Sequence, residues 1–511
     1  MIAKTYTCGL QGVNGYIIEV ESYINSGMYQ FDIVGLPSAA VKESRDRIRA
    51  ALSFLGYNFP AGRVVVNLSP ADIKKEGTAF ELAIAICIMA ANNPNKYQIK
   101  NTMLLGELTL DGRIMPIRGA LPIAITAINN GINSIILPKE NARECACLEN
   151  LQVYPAETLL EVVQHVTNKK LLPLLELEKY VVPEHFISSA NDMAYVKGQP
   201  MARKALEIAA TGGHNMLMMG IPGSGKTMLA RCLPGILPPL SYEESLETTL
   251  IHSAAGELAY NSPLIKQRPF RSPHHNISMP AMIGGGLKAK PGEVSLAHNG
   301  VLFLDEMPEF SRITLEALRQ PLEDGFVNVT RIQGQNCYQS NCMLIIGMNP
   351  CPCGFYGSKQ KKCTCSPNEI KRYAAKISGP LLDRIDIHIP MDAVSIQEIE
   401  SSSKQEDSLT IQKRVLNARK IQLERYKNEK IFCNAQLNQV LLEKYVKLSS
   451  DVKKLLMQAV DRYNISMRTY SRIQKVARSI ADLAQHEDIT VSDMALAIQM
   501  RNGSVQGGYH A

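Results

Sequence analysis

The sequence contains no apolar stretch long enough to cross a membrane. Its longest apolar run, LAIAICIMAA at residues 82–91, has about half of the roughly 20 residues that a bilayer-spanning helix needs. We expect this run to form a buried helix instead. The first residues, MIAKTYTCGL, also lack the basic, apolar and small-residue pattern of a secretory signal. Together these absences predict a cytoplasmic protein with no membrane partner.

Without an export signal, the twelve cysteines of this 511-residue chain do not predict a disulfide framework. Reduced thiols or metal ligands are expected instead. A content of 45% hydrophobic and 20% charged residues is typical of a globular protein, and the length predicts about three domains. The net charge of +7 favours a polyanionic partner such as nucleic acid or nucleotide.

Changes of pattern along the chain predict three domains and one linker. Residues 1–168 alternate short β-rich runs with helical stretches such as VKESRDRIRAALSFLG. Residues 169–189 carry two prolines and are interpreted as a linker. Residues 190–392 alternate helices with continuous apolar runs, which are typical of strands buried in a parallel sheet. Residues 393–511 are charged and helical, so the predicted fold class is multidomain α/β with a helical C-terminal domain.

The most specific motif is GIPGSGKT at residues 220–227, between the apolar run NMLMM and the helical MLARCL. Such a loop turns backbone N–H groups toward phosphate oxygens, and the following helix N-terminus adds partial positive charge. Lys226 is expected to reach the β- and γ-phosphates, and Thr227 to bind Mg²⁺. The predicted nucleotide-binding residues are Gly220, Pro222, Gly223, Ser224, Gly225, Lys226, Thr227, Met228 and Asp305.

Two further apolar runs end in polar side chains. GVLFLDE ends in Asp305, expected to hold Mg²⁺ through water, and in Glu306, a candidate general base for the attacking water. CMLIIGMN ends at Asn349, which a neighbouring strand would place beside the γ-phosphate. The predicted cofactors are therefore ATP and Mg²⁺, and the presence of Glu306 favours hydrolysis over passive nucleotide binding.

This order of motifs resembles that of the AAA+ ATPases. The resemblance implies that Asn349 is sensor 1, that Arg384 in GPLLDRID acts in trans on the next subunit's γ-phosphate, and that Arg468 in SMRTYSRI is sensor 2. The planar fork of arginine suits contact with phosphate oxygens. A salt bridge to Asp383 or Asp386 is the alternative for Arg384. Action in trans would require a ring or at least a dimer.

Longer strings resemble the ComM/YifB family of magnesium chelatase-like AAA+ proteins, among them DIVGLPSAAVKESRDRIRAAL, RPFRSPHHNIS, LRQPLEDG and SGPLLDRIDIHI. The resemblance covers almost the entire chain. It implies a hexameric, ATP-driven DNA motor (a helicase) that promotes branch migration and the integration of single-stranded DNA in natural transformation. DNA and recombination proteins are the implied partners. The alternative is a protein-remodelling or magnesium-chelatase-type ATPase subunit that acts on a protein partner.

A basic, glycine-rich segment, RPFRSPHHNISMPAMIGGGLKAKPGE, resembles the insertion in the second helix that this AAA+ clade directs into the pore of the ring. Cationic groups on a flexible segment suit contact with a phosphate backbone. The following string VNVTRIQGQNCYQS predicts a β-hairpin with a further cation. For the two histidines, the alternatives are metal ligation and core packing. For the arginine of the hairpin, the alternative is a charge exposed to solvent. The DNA-contact candidates are Arg271, His274, His275, Lys288, Lys290 and Arg331.

The N-terminal domain resembles a Lon protease domain that has lost its catalytic residues. GELTLDGRIMPIRGALPIAITAINNGINSIILPKEN and SPADIKKEGTAFELAIA carry this resemblance. The position of the nucleophile falls on Ala79 and that of the general-base lysine on Leu121, and neither side chain can do this chemistry. We expect a proteolytically inactive domain that serves as a scaffold, a ring-forming surface or a DNA guide.

Two Cys-x-Cys pairs lie within residues 350–367, PCPCGFYGSKQKKCTCSP. Four thiolates match the tetrahedral preference of Zn²⁺, and the residues between the pairs can fold both onto one ion. A thiol switch and chance clustering are the alternatives. The segment follows sensor 1 and is expected to project from the ATPase core without entering the ATP site. The predicted structural zinc ligands are Cys351, Cys353, Cys363 and Cys365.

Overall fold

The computed structural model describes residues 2–99, 101–183, 191–286, 289–331, 334–358, 361–394 and 405–502. The chain forms two compact units, each built from three segments. The first comprises Met1–Val181, Tyr242–Ile265 and Thr330–Tyr338, and the second comprises Val182–Ser241, Lys266–Val329 and Gln339–Ala511. Among the described residues, no helix combines the length and apolar character that crossing a bilayer requires.

The first unit is built on a seven-stranded mixed sheet of order β3-β4-β2-β1-β5-β8-β9. Its strands are β1 Ile2–Gln11, β2 Asn14–Asn25, β3 Gln30–Val34, β4 Arg63–Ser69, β5 Thr102–Leu104, β8 Ser134–Pro138 and β9 Gln152–Ala156, with a separate pair of β6 Glu107–Leu108 and β7 Ile114–Met115. Its helices are α1 Ala39–Phe54, α2 Glu81–Asn92, α3 Ala120–Asn129, α4 Lys139–Ala142, α5 Leu159–Val166 and α8 Tyr242–Ala255.

The central helix α2 contains the longest apolar run of the sequence. Its residues from Glu81 to Ala91 are buried all around the helix, and it packs on β1 and β2. The prediction of a buried helix is therefore confirmed. Strand β4 is one of the short β-rich runs of residues 1–168. Its buried residues alternate with more exposed ones, as expected for a strand with one face on the core.

The second unit contains a five-stranded sheet of order β11-β14-β17-β10-β18, in which every pairing is parallel. These strands are β10 Met216–Gly220, β11 Phe270–Arg271, β14 Val301–Leu304, β17 Met343–Met348 and β18 Ile387–Met391, and a short strand pair is β12 Gly284–Gly285 with β13 Lys290–Pro291. A further pair, β15 Phe326–Arg331 with β16 Gly334–Gln339, contains the segment Thr330–Tyr338 of the first unit.

Helices of the second unit precede, connect and follow these strands. They are α6 Pro200–Gly212, α7 Lys226–Ile236, α9 Met279–Ile283, α10 Glu293–Leu296, α11 Arg312–Ala317, α12 Arg319–Asp324, α13 Pro367–Ala374, α14 Gly379–Leu382, α15 Ser408–Arg425, α16 Gln439–Tyr445, α17 Ser450–Tyr463, α18 Met467–Leu483 and α19 Val491–Asn502. The predicted parallel sheet is confirmed, because β10, β14 and β17 are apolar, parallel and buried throughout.

Alternate residues of the central strand β10 face two different hydrophobic clusters. Met216 and Met218 belong to a cluster that also contains Val415 of α15 and Ile473 of α18. Leu217 packs in a second cluster, which also includes Leu381 of α14. The C-terminal helices therefore share a core with the parallel sheet, and α18 is held to the strands that carry the nucleotide motifs.

Candidate functional site

The P-loop connects the end of β10 to the start of α7, as the sequence predicted. Lys226 is the first residue of α7, and Gly225 before it has the left-handed backbone (φ +89°) that favours glycine. The Lys226 ammonium donates to the carbonyl oxygens of Gly220 at 2.8 Å and Ile221 at 3.0 Å. Burial lowers its pKa, while the carboxylates of Asp305 and Glu306 oppose that shift. The loop thus holds its cation in a fixed position.

Sheet order explains why three distant motifs meet. Strand β17 pairs with β10 on one side and with β14 on the other, so the carboxyl ends of all three strands lie at the same edge. The Thr227 hydroxyl donates to Asp305 Oδ2 at 2.7 Å, after β14. The Lys226 ammonium donates to Asn349 Oδ1 at 3.2 Å, after β17. The structure therefore brings Lys226, Thr227, Asp305 and Asn349 together.

Two local features shape the acidic end of β14. A Cβ on Gly347 of β17 would lie 2.8 Å from Asp305 Oδ1, so the missing side chain leaves room for this carboxylate. Glu306 has a left-handed backbone (φ +51°) and an exposed side chain, and its N–H donates to Asp305 Oδ1 at 3.0 Å. A non-glycine residue in this conformation is uncommon. The turn therefore presents Glu306 outward beside a fixed Asp305.

The residues present fit a Mg²⁺ ion. The Thr227 hydroxyl and the Asp305 carboxylate are already in contact, and both are hard oxygen ligands of the kind that Mg²⁺ takes. Pro222 and Met228 are exposed on the same loop and helix, while Ser224 is buried. A nucleotide could therefore reach the loop from solvent.

The two predicted phosphate-sensing arginines lie together on one carboxylate that sequence reasoning did not single out. Arg384 forms an ion pair with Glu323 of α12, and Arg468 of α18 donates to the same carboxylate at 3.0 Å. The alternative partners considered for Arg384, Asp383 and Asp386, are not the ones in this ion pair. In the described residues, the side-chain hydrogen bonds of these arginines go to Glu323 and the Pro380 carbonyl.

A buried network fixes the strand that follows Arg384. Asp386 accepts from the guanidinium of Arg472, from His214 at 3.3 Å and from the Asn215 N–H at 3.1 Å. His214 is also hydrogen-bonded to Ser479 of α18 at 2.7 Å. Burial alone would raise the pKa of Asp386, but Arg472 and His214 outweigh it and hold that pKa well below its usual range. Arg472, one helical turn after Arg468 on α18, thus belongs to the structural framework.

The DNA-contact candidates occupy different environments. Arg271 lies in β11 and forms a two-pronged ion pair with Glu293, at 2.6 and 2.7 Å. His274 is exposed and its ring centroid is 4.0 Å from that of the partly buried His275. Lys290 in β13 is exposed. Lys288 and the side chain of Arg331 lie outside the described residues.

The four predicted zinc-binding thiols converge. Their sulfur atoms all lie within 4.8 Å of one another, and Cys351 Sγ is 3.4 Å from Cys353 Sγ and 3.7 Å from Cys363 Sγ. Tetrahedral coordination with Zn–S bonds of about 2.3 Å requires sulfur separations of about 3.8 Å. The N–H groups of Cys353 and Tyr356 donate to sulfur atoms of the cluster, at 3.4 and 3.3 Å. The donor set therefore fits a closed zinc site.

The cysteine segment contacts the P-loop, and whether it enters the ATP site stays a prediction. Gly354 is buried, and a Cβ there would lie 2.6 Å from Pro222 Cδ in the P-loop. Sequence reading placed the segment after sensor 1 but gave no signal of this contact. In the first unit, Leu121 is fully buried in a hydrophobic cluster.

A P-loop, an acidic strand end and a polar strand end on a parallel sheet define an AAA+-like nucleotide site. The model of magnesium chelatase, subunit ChlI, matches residues 192–399, with the subunit ChlI and ChlI C-terminal models at 20–141 and 405–501. The competence protein ComM of Haemophilus influenzae is 39% identical over 504 residues, 98% of this chain and 97% of ComM. YifB of Salmonella typhimurium is 40% identical over 503 residues, with the same shares of the two chains. The chain belongs to the ComM/YifB family of magnesium chelatase-like proteins, and this membership implies ATPase activity.

The chain has a more distant, partial likeness as well. A Lon protease of Rhizobium meliloti is 25% identical over 168 residues, which are 30% of this chain and 20% of that protease. The Lon-like strings of the sequence predicted a partial likeness of this kind.

Proposed function

We propose that the protein is an ATP-driven DNA motor, a helicase that works as a homohexamer and promotes branch migration during the integration of single-stranded DNA in natural transformation and recombination. The observation that supports the motor is the meeting of Lys226, Thr227, Asp305 and Asn349 at one sheet edge. The observation that supports DNA as substrate is near-full-length similarity to a protein named a competence protein.

In this proposal the residues of the chain divide the work of hydrolysis. Lys226 and the P-loop N–H groups hold the β- and γ-phosphates, and Asn349 orients the attacking water. Glu306 accepts a proton from that water as general base. Mg²⁺, held by Thr227 and Asp305, would offset the negative charge of the phosphate oxygens. Arg384 and Arg468 act on charge that develops at the γ-phosphate.

A protein that moves along DNA requires a cationic surface that contacts the phosphate backbone. Exposed His274 and Lys290 are the described candidates with side chains open to solvent. Arg271 is less suited to a direct contact, because its guanidinium is committed to Glu293. Of the described candidates, His274, His275 and Lys290 stay in the proposed DNA-contacting set. Lys288 and Arg331 also stay in it, but their side chains lie outside the described residues.

A titration of steady-state ATP turnover with single-stranded, duplex and branched DNA tests the motor. We expect DNA to stimulate turnover several-fold, and the stimulation to fall in the His274→Ala/Lys290→Ala double variant. Lys371→Ala, which removes an exposed lysine of α13, should keep the wild-type stimulation. Turnover that ignores every DNA but rises with a protein partner would replace the motor by a chelatase-type or protein-remodelling ATPase.

We also propose that the four cysteines bind one structural Zn²⁺. With four protein ligands, no coordination position remains for catalysis. Elemental analysis of protein purified without chelators should find one zinc per chain, and a Cys363→Ser/Cys365→Ser variant should hold much less. Zinc-free wild-type protein that takes up no added zinc would contradict this assignment.

A further inference from the structure

The cysteine segment and the P-loop meet at a contact that leaves no space for a side chain. Gly354 has a left-handed backbone (φ +83°), and a Cβ on it would lie 2.6 Å from Cδ and 2.7 Å from Cγ of Pro222. Such distances are shorter than real Cβ contacts. Because the Pro222 ring is rigid, the backbone of residue 354 rests directly on the P-loop.

The cysteine cluster determines where Gly354 lies. The Gly354 N–H donates to the Cys351 carbonyl at 2.9 Å, and Cys353 is its immediate neighbour in the chain. The sulfur atoms of these two cysteines are 3.4 Å apart, and Cys353 Sγ is 3.5 Å from Cys363 Sγ. Holding the thiols on one ion therefore holds residues 351–354 in a single conformation.

The same short segment touches the P-loop at a second point. Asn349, two residues before Cys351, accepts a hydrogen bond from the Lys226 ammonium at 3.2 Å. Residues 349–354 thus contact the P-loop twice. Gly354 lies against Pro222 near the start of the loop, and Asn349 is hydrogen-bonded to the Lys226 ammonium. The part of the P-loop between Pro222 and Lys226 includes Gly223, which has a left-handed backbone (φ +78°) and open space around it. A glycine-rich loop loses much conformational entropy when it is ordered.

We propose that the cysteine cluster, loaded with zinc, is a structural part of the nucleotide site: through Gly354 and Asn349 it holds the P-loop in the conformation that receives phosphate. The inference rests on the proposed ATPase function. Its physical basis is preorganisation, since a loop fixed before binding gives up less freedom when the nucleotide arrives. Loss of the metal frees residues 351–354, and the P-loop loses its support.

A pair of glycine substitutions tests the contact. Gly354→Ala forces a methyl group into Pro222, whereas Gly357→Ala imposes a similar left-handed strain (φ +75°) where nothing lies within 4 Å. We expect Gly354→Ala to raise the dissociation constant of a fluorescent ATP analogue with Mg²⁺ about tenfold, with zinc content and thermal unfolding close to those of Gly357→Ala. Gly357→Ala should bind the analogue within about twofold of wild type.

Zinc removal tests the metal. Wild-type protein stripped with a chelator, reduced and desalted should bind the analogue more weakly, and added Zn²⁺ should restore the affinity. Equal affinities of zinc-free, Gly354→Ala and wild-type protein would overturn the inference while leaving the ATPase in place. Equal losses of affinity in Gly354→Ala and Gly357→Ala would also overturn it, because backbone strain alone would then explain both losses. Wild-type protein that binds no nucleotide would overturn the proposed function itself.

Discussion

Glu306 is the residue whose replacement we expect to separate nucleotide binding from hydrolysis in the proposed ATP site. It is exposed next to the Mg²⁺ candidate Asp305, while the contacts of Lys226 and Thr227 involve other groups. Glu306→Gln keeps the shape of the side chain but removes the proton acceptor. We expect turnover to fall by a factor of about 100 or more, with the affinity for nucleotide changed less than about twofold.

Glu309→Gln is the matched control for this experiment. Glu309 is exposed three residues further on, and its carboxylate is 3.4 Å from the Lys376 ammonium. Its loss should leave turnover close to that of wild type, as measured by phosphate release under the same conditions. If Glu306→Gln hydrolyses ATP at the wild-type rate, the assignment of Glu306 as general base is wrong.

At the residue scale, motif spacing predicted the nucleotide site more completely than its surroundings. Lys226, Thr227, Asp305 and Asn349 meet as expected because parallel strands end at one sheet edge. Glu323 and Gly354 were not singled out as functional residues. Glu323 pairs with Arg384 and Arg468, which are 61 and 145 residues away in sequence, and no local pattern encodes such a distance.

At the scale of elements, β18 and α18 are joined by a buried carboxylate just before the strand. Asp386 is 5% exposed and is bound by Arg472 of α18 and by His214 before β10. Removing one member of a buried ion pair leaves the other charge unpaired, which costs about 3–5 kcal/mol. Asp386→Ala should therefore lower the free energy of unfolding by about 3 kcal/mol or more, measured by denaturant titration.

The control for Asp386→Ala lies in the same turn. Asp383 is half-exposed and its carboxylate is 3.6 Å from the Arg501 guanidinium. Asp383→Ala should therefore lower the free energy of unfolding by about 1 kcal/mol or less. The pH dependence has a defined sign. Because the pKa of Asp386 is held low in the folded state, its stabilisation is present above about pH 4 and declines as the pH falls below that value. Equal effects of the two substitutions would contradict this account.

Elements with a strong local pattern were the easiest to predict. Strands β10, β14 and β17 are continuous apolar runs buried in a parallel sheet, and α2 is apolar on all sides. Helix α8, Tyr242–Ala255, was not predicted to belong with the N-terminal unit. Its Ser253 hydroxyl donates to the buried Glu144 at 2.5 Å, and its Ser253 carbonyl accepts from the Gly119 N–H at 3.1 Å, pairings that only the folded chain reveals.

At the scale of the whole molecule, the proposed trans role of Arg384 makes hydrolysis a property of assembled subunits. In the single chain Arg384 is 9% exposed and paired with Glu323, so assembly must exchange this carboxylate for phosphate. We expect the turnover per subunit to rise with protein concentration, and Arg384→Ala to bind nucleotide but hydrolyse it slowly at every concentration. Arg372→Ala, which removes an exposed arginine of α13, should behave as wild type.

Mixing two inactive variants distinguishes action in trans from action within one chain. Lys226→Ala retains Arg384, and Arg384→Ala retains an intact P-loop. A mixed ring therefore contains interfaces with both groups, and we expect the mixture to hydrolyse ATP faster than either variant alone. Concentration-independent wild-type turnover together with no recovery in the mixture would rule out the trans role.

The division of the first unit into three segments has a consequence for how the chain is made. Its last segment, Thr330–Tyr338, is translated roughly 150 residues after Val181, which takes about 8–30 s at ordinary rates of bacterial or eukaryotic synthesis. The N-terminal sheet therefore leaves the ribosome well before α8 and the hairpin residues that complete its unit. During that interval the nascent chain exposes the surface these segments later cover, and a chaperone that binds apolar surface would find its target there.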